Sequence, residues 1–310
     1  MISETIHRID VSDLSLETFF NAKDKPNVPL VLTGLLGKDT QWNLDYLCET
    51  IGGNRFLFRH YGQQRYQQDK QQWQSIGSGV DVREMPFSEY AQMLRNGQAK
   101  AKDIYLAKAN LKDTPLSQSP SLQTLGSKLN LNPVTDYRMY MGHGGHTASL
   151  HYDILHGTLC QLYGQKQVIL FPPRVTKSLY PFPIWVHLTH GMKLRCCYSQ
   201  VDLETKDLTK FPDSNLALRE QKTVTLNAGE VLFIPVGWWH EIKTLETDEM
   251  SCSVSRFWQV SPQAEAYFSW QRWRPVLGNI LALPHQTQKM IKQFLKQPNW
   301  TTIREILYRI

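Results

Sequence analysis

His151-Tyr152-Asp153 sets an imidazole and a carboxylate two residues apart. In an extended chain, residues at that spacing point to one face, so the two groups can converge on a metal while Tyr152 turns away. Such a pair arises easily by chance in a chain with ten histidines and 28 acidic residues. A third ligand must come from elsewhere, because a facial triad of two histidines and a carboxylate fills three positions of an octahedron and leaves the others for substrates. His240 is the best candidate. It closes the run Gly229-Glu230-Val231-Leu232-Phe233-Ile234-Pro235-Val236-Gly237-Trp238-Trp239-His240, a Gly turn, an apolar strand and a histidine beside two tryptophans. A buried histidine there needs a partner for its polar nitrogen, and a metal is one such partner. Lys166, in Gly164-Gln165-Lys166-Gln167-Val168-Ile169-Leu170-Phe171, shares parity with Val168 and Leu170. It either points inward, where a buried ammonium requires an anion, or snorkels to solvent at the start of its strand.

These residues fall in a region of short apolar segments separated by Gly, Pro, Asn and Asp, from about Asp103 to Trp258. Ile104–Ala107, Tyr137–Met141, Thr158–Leu162, Gln167–Phe171, Gln221–Leu226, Val231–Pro235 and Ser251–Trp258 have strand character, and many short strands with turns between them predict a sandwich or barrel. Upstream, Pro29–Leu35 has the pattern of a strand. Asn43 is placed to cap a helix whose Leu44, Leu47, Cys48 and Ile51 share one face, with Gly52 as its stop. Gln63 to Gln74 is polar and predicts a surface excursion, and Ser88 is placed to cap a helix through Tyr90, Met93 and Leu94. In the tail, Ser261-Pro262 and Thr302-x-x-Glu305 are helix-start signals. Ile303, Ile306, Leu307 and Ile310 form one apolar stripe and Met290, Ile291, Phe294 and Leu295 another; they either dock on the chain's own body or form a homodimer interface.

Composition narrows the function classes. The chain has 310 residues, 41% hydrophobic and 11% aromatic, which fits a folded globular protein with a sizeable core. There is no signal-peptide pattern and no apolar run near the ~20 residues that cross a membrane, so no membrane partner is expected. Five cysteines without CxxC spacing point to free thiols in a reducing cytoplasm. The net charge is +6, but the basic excess gathers after Ser261. The preceding body is near neutral, which argues against a basic nucleic-acid groove across it.

The ordered set His151-x-Asp153, Lys166, Phe171-Pro172-Pro173, Leu179-Tyr180-Pro181, Phe211-Pro212, Ala228-Gly229-Glu230 through His240, and Phe257-Trp258 resembles the JmjC/cupin-like iron(II) and 2-oxoglutarate oxygenases. Within them it looks closest to the small hydroxylases typified by the asparaginyl hydroxylase that acts on hypoxia-inducible factor. The resemblance covers roughly residues 25 to 260, with Val28 to Gly34 and Trp42 in its opening part. It implies a mainly β fold, a double-stranded β-helix (jelly-roll) barrel with flanking N-terminal α/β elements and C-terminal helices. Residues 1–260 would form the oxygenase domain and 261–310 a helical segment. It also implies His151, Asp153 and His240 as Fe(II) ligands, with Lys166 pairing with the distal carboxylate of 2-oxoglutarate and Tyr105 reaching the same group. Three positions depart from the family pattern. Ala148 stands where a hydroxyl residue is common, so that Thr147 or Ser149 would substitute for it; Gly157 and Arg256 stand where asparagines are common.

The resemblance implies a protein or peptide hydroxylase that consumes 2-oxoglutarate and O2. The same site would demethylate an N-methyl-lysine if the oxidised carbon bore the nitrogen. A tRNA-base hydroxylase is a second reading, supported by Trp270, Arg272, Trp273 and Arg274 in the basic tail, and a non-catalytic cupin-type binding protein is a third. His143, His146, His156, His187 and His190 suggest either a second metal or ordinary packing, with substrate contact at the barrel mouth as the alternative for the Gly142-His143-Gly144-Gly145-His146 loop.

Overall fold

The computed structural model describes residues 6–12, 28–37, 42–66, 68–73, 75, 80–205, 207–245, 250–260 and 269–296. Its strands are β1 (Arg8–Asp10), β2 (Leu30–Thr33), β3 (Arg55–His60), β4 (Asp81–Pro86), β5 (Ile104–Asn110), β6 (Arg138–Gly142), β7 (Thr147–Tyr152), β8 (His156–Tyr163), β9 (Lys166–Phe171), β10 (Lys222–Leu226), β11 (Val231–Ile234), β12 (Trp239–Thr244) and β13 (Ser251–Trp258). They form a nine-stranded sheet in the order β1-β2-β11-β8-β13-β6-β5-β3-β4 and a four-stranded sheet in the order β10-β9-β12-β7. Apart from the parallel β1–β2 pair, neighbours are antiparallel. This mixed α/β arrangement of two sheets is consistent with a cupin-type jelly roll. Of the expected jelly-roll barrel it shows the two sheets, and among the described residues no ladder joins them. The large sheet instead continues beyond β6 into β5, β3 and β4, and beyond β11 into β2 and β1, so both its edges are extended.

The helices are α1 (Leu44–Ile51), α2 (Phe87–Arg95), α3 (Gln98–Ala101), α4 (Pro120–Lys128), α5 (Val186–His190), α6 (Ser214–Leu218) and α7 (Trp270–Lys296). In α1 the expected cap is present, with the Tyr46 amide donating to Asn43 Oδ1 at 2.8 Å. In α2 the cap is Pro86, and Ser88 lies inside the first turn. The amides of Phe87 and Ser88 donate to the carbonyls of Asn54 and Gly52, so backbone from the α1–β3 turn does the work that the sequence assigns to a serine side chain.

The main core uses the face of the large sheet on which Leu106, Met139, Met141 and Val254 lie, closed by Leu47 and Ile51 of α1, Phe87 and Tyr90 of α2 and Leu122 and Leu125 of α4. A second cluster joins the two sheets through Leu159, Leu232 and Ile234 on one side and Val168, Leu170, Val224 and Leu226 on the other. A third covers the small sheet's other face with Leu150, Tyr152, Phe171 and Trp239. The helix α7 carries Pro275 and Pro284 within its length and docks on α5, where a Cβ on Gly278 would stand 2.5 Å from His187 Nε2. In α7, Ile291 and Leu295 are exposed. The side chains of Met290 and Phe294, the Ser261-Pro262 start and the whole stripe from Ile303 to Ile310 lie outside the described residues.

Candidate active site

The expected ligands sit on the small sheet. β7 and β12 are antiparallel neighbours with His151 opposite His240, and directly opposed side chains on one face of such a pair lie close together. Their rings are 4.3 Å apart between centroids. Asp153 follows β7 by one residue, and its Oδ2 lies 3.5 Å from His240 Nε2. One ligand atom from each of His151, Asp153 and His240 lies within 4.8 Å of the others.

The histidine tautomers follow from the hydrogen bonds. His151 Nδ1 is 2.8 Å from the Ser149 carbonyl, and His240 Nδ1 is 3.1 Å from the Trp238 carbonyl. Carbonyls only accept, so each Nδ1 carries the proton and each Nε2 presents a lone pair, the arrangement that metal-bound histidines use. Burial, with His240 beside it, pushes His151 down to about 4, keeping it neutral. Two imidazoles in this tautomer and a carboxylate are the donor set of a non-haem Fe(II) centre; the residues fit that metal.

β7 carries one extra residue against β12, since His240 pairs with His151 but Ile242 pairs with Ala148. Such a bulge takes a donor out of the ladder. Here the Leu150 amide donates to Glu241 Oε2 at 3.1 Å, and Lys70 Nζ stands 3.8 Å from the same oxygen. Burial nonetheless raises the Glu241 carboxyl, against the pull of Lys70. Sequence reasoning misses this pair, because Lys70 lies in the polar segment that predicts a surface excursion.

A cavity of ≈ 350 Å³ lies between the sheets, lined by the three candidate ligands and by Lys166, Tyr105 and Ser253. Lys166 is 2% exposed, which settles its direction: it points inward. Its Nζ donates to Ser253 Oγ at 2.5 Å and to Tyr105 Oη at 3.3 Å, with the Tyr140 carbonyl at 3.5 Å. All three are neutral oxygens. Burial lowers the ammonium to about 8, so near neutral pH it is charged and has no balancing anion in contact among the described residues. A carboxylate of a bound acid would supply one. Tyr105 is buried, its phenol pushed well up, and it therefore remains a neutral donor.

The other candidates separate. Ala148 lines the cavity whereas Thr147 and Ser149 do not, because neighbouring residues of a strand face opposite sides. Hydroxyls in the cavity wall come instead from Ser253, Ser255, Thr158 and Thr244. Gly157 also lines the cavity, while Arg256 turns to the Thr135 carbonyl at 2.7 Å and over the Tyr137 ring. His156 Nδ1 accepts from the Val236 amide at 3.1 Å. His187 spans the Gly191 carbonyl and the Cys196 amide, and His190 Nδ1 meets Thr189 Oγ1. These three serve packing and turns.

His143 and His146 gather around Asp103, which is fully buried. Asp103 Oδ1 lies 3.0 Å from His143 Nε2 and 2.8 Å from His146 Nδ1. The His146 ring then stacks on Tyr105 with centroids 3.6 Å apart and planes 7° from parallel. Gly142 completes the support, since a Cβ there would overlap the Tyr105 ring. The glycine-rich segment thus holds the cavity's tyrosine in place.

A model of the cupin-like domain matches residues 16–264. The chain belongs to this family, and it is related to its JmjC-type members. It is 31% identical to the lysine-specific demethylase JMJ31 of Arabidopsis thaliana over 59% of this chain and 32% of that protein. It is 28% identical to the lysine-specific demethylase JMJ30 of the same plant over 82% of this chain and 55% of that protein. With human tRNA wybutosine-synthesizing protein 5 it shares 26% identity over 82% of this chain and 78% of that protein. The chain thus spans about a third of the first relative and about half of the second. No helix among the described residues is long and apolar enough to cross a membrane.

Proposed function

We propose that this cupin-like protein is an Fe(II)- and 2-oxoglutarate-dependent oxygenase that hydroxylates a side chain of a protein or peptide. The observation that carries the reading is the opening of two complementary sites into one cavity: a triad of His151, Asp153 and His240, and a buried ammonium at Lys166 without a counter-ion in contact among the described residues. A catalytic zinc would account for the triad alone; it gives no reason for the lysine. When bound, Fe(II) with 2-oxoglutarate supplies the means to split O2, one atom entering a substrate C–H bond as hydroxyl and the other entering succinate as CO2 is released.

The chain's own part is binding, orientation and exclusion of water. Asp153, as the anionic ligand, would offset part of the metal's charge, and the carbonyls of Ser149 and Trp238 fix the two imidazoles. Lys166, with Tyr105 and Ser253, would hold the far carboxylate of 2-oxoglutarate by charge-assisted hydrogen bonds. The apolar cluster that joins the sheets includes Leu159 and Ile234 of the cavity wall, and an apolar wall strengthens such bonds.

A tRNA-base hydroxylase is the second reading. It is favoured by the likeness to tRNA wybutosine-synthesizing protein 5, which covers most of both chains. The likeness to lysine-specific demethylases supports N-methyl-lysine as an alternative target of the same chemistry, and the motif likeness to asparaginyl hydroxylases supports asparagine. The test is uncoupled turnover: with Fe(II), O2 and ascorbate the protein should convert 2-oxoglutarate to succinate, and His240→Ala should abolish both turnover and Mn(II) binding by electron paramagnetic resonance. A wild-type protein that binds neither Mn(II) nor 2-oxoglutarate would leave a binding cupin as the better description.

A further inference from the structure

Lys108 occupies an unusual place in β5. Between Leu106, opposite Met141, and Ala109, opposite Met139, the strand carries one extra residue against β6, and Lys108 has a φ of +61°. Left-handed backbone is unfavourable for a residue with a Cβ and persists only where its surroundings over-determine it. Regular alternation would send Lys108 to the same side as Leu106, into the main core. The bulge re-aims it, so that Tyr105, Ala107 and Lys108 all line the cavity while Leu106 and Ala109 both belong to the core. Bulges beside active sites commonly serve to redirect a side chain in this way.

Lys108 does not act alone. Arg59 of β3, Arg138 of β6 and Arg195 of the segment after α5 line the same cavity, and Asp153 is the one carboxylate among the lining residues. Iron(II) with Asp153, and 2-oxoglutarate with Lys166, together come to zero net charge. Lys108 and Arg138 are then basic groups beyond that balance, with Arg59 and Arg195 lining the same cavity. Among the described residues Lys108 and Arg138 have no ion-pair partner. Burial, with Arg195, Arg59 and Arg138 close by, brings Lys108 down to about 7, and an anion set among these groups would restore its charge.

We propose that the substrate presents a carboxylate to Lys108 and Arg138, and that the residue oxidised is, or directly adjoins, an acidic side chain of a protein. This rests on the oxygenase reading and names its substrate class. A carboxylate is favoured over nucleic-acid phosphate because the basic groups face an interior cavity of ≈ 350 Å³, a size at the lower end of pockets for small ligands, whereas polynucleotides are held by basic surface grooves.

The test uses the full chain with Mn(II) and 2-oxoglutarate under anaerobic conditions, titrated by calorimetry. The probes are N-acetyl-aspartyl and N-acetyl-glutamyl amides, short peptides centred on Asp or Glu, the matching Asn and Gln probes, and a short oligoribonucleotide. The acidic peptides should bind about ten- to a hundredfold more tightly than their amide isosteres, and more tightly than the single amino-acid amides. Lys108→Gln should bring the acid-to-amide ratio close to one; Arg138→Gln, which leaves the bulge residue in place, should lower it as well. With Fe(II) and O2, the acidic peptide should gain one oxygen by mass. Equal binding of acid and amide, a ratio unchanged in both variants, preference for the free amino-acid amides, or tighter binding of the RNA would each overturn the proposal. Failure of 2-oxoglutarate itself to bind would instead bring down the oxygenase reading beneath it.

Discussion

Lys166 and Ser253 belong to different sheets, yet Nζ of one lies 2.5 Å from Oγ of the other. β9 and β13 are therefore tied at a buried polar point beside a cavity in which the ammonium awaits an anion. Only the charged lysine forms a charge-assisted bond with a carboxylate, and burial places its titration at about 8. Affinity for 2-oxoglutarate should accordingly be at its full value below pH 8 and fall by about tenfold per pH unit above it. Calorimetric titration with Mn(II) between pH 6.5 and 9.5 measures this; an affinity that stays flat across that range would contradict it.

The same burial has a cost in stability. The folded-state value lies below the ordinary lysine value of 10.5, so the penalty for the buried charge is fully present below about pH 8. It is relieved as pH rises toward 10.5, where the unfolded chain still holds its proton. Lys166→Met should stabilise the cosubstrate-free protein at pH 7 by about 1–3 kcal/mol while abolishing the thermal shift that 2-oxoglutarate induces. Urea denaturation at pH 7 and pH 10 gives both the gain and its expected shrinkage.

Asp103 accepts from two histidines with both partners buried. Asp103→Ala leaves those imidazoles facing each other without their acceptor, and should cost about 3 kcal/mol of unfolding free energy. Because His146 stacks on Tyr105, the loss should reach the cavity as well, raising the 2-oxoglutarate KM more than it lowers kcat.

Gly142→Ala is the more selective probe of that support. The glycine's φ is ordinary, and the added methyl meets the Tyr105 ring, so the change displaces the tyrosine without straining the backbone. Affinity for 2-oxoglutarate should fall about tenfold, the worth of one neutral hydrogen bond and some packing, with Mn(II) binding unchanged. Gly142→Ala combined with Tyr105→Phe should lose little more than either alone, a double-mutant cycle that reports their shared action.

Much of this arrangement is readable from residue pattern because it follows from local rules. The Leu44–Ile51 helix has its cap and its apolar face in sequence, and the parity of Lys166 with Val168 and Leu170 leaves an inward and a solvent-facing direction open, between which burial decides. The triad is assembled by one cross-strand pair, His151 opposite His240, which two-residue spacing and an apolar strand foreshadow without fixing. What escapes is non-local. β7 and β12 lack the continuous apolar run that marks β11 or β9, since their residues alternate between the cavity and an outer core. The Glu241–Lys70 pair joins residues remote in sequence. The bulge at Lys108 is invisible for a similar reason: in sequence it is one more lysine following the apolar segment Ile104–Ala107, and only the register with β6 shows which way it points.

Tyr152 sits between His151 and Asp153 but faces the other way, its hydroxyl donating to the Gln271 carbonyl at 2.9 Å. Gln271 in turn donates from Nε2 to the Gly237 carbonyl at 2.8 Å, in the turn that leads to His240. One residue in the first turn of α7 therefore braces both strands that carry the ligands, from behind the sheet. Like a clip spanning two rails, it sets their separation, so the spacing of the metal-binding groups depends on a helix that contributes none of them.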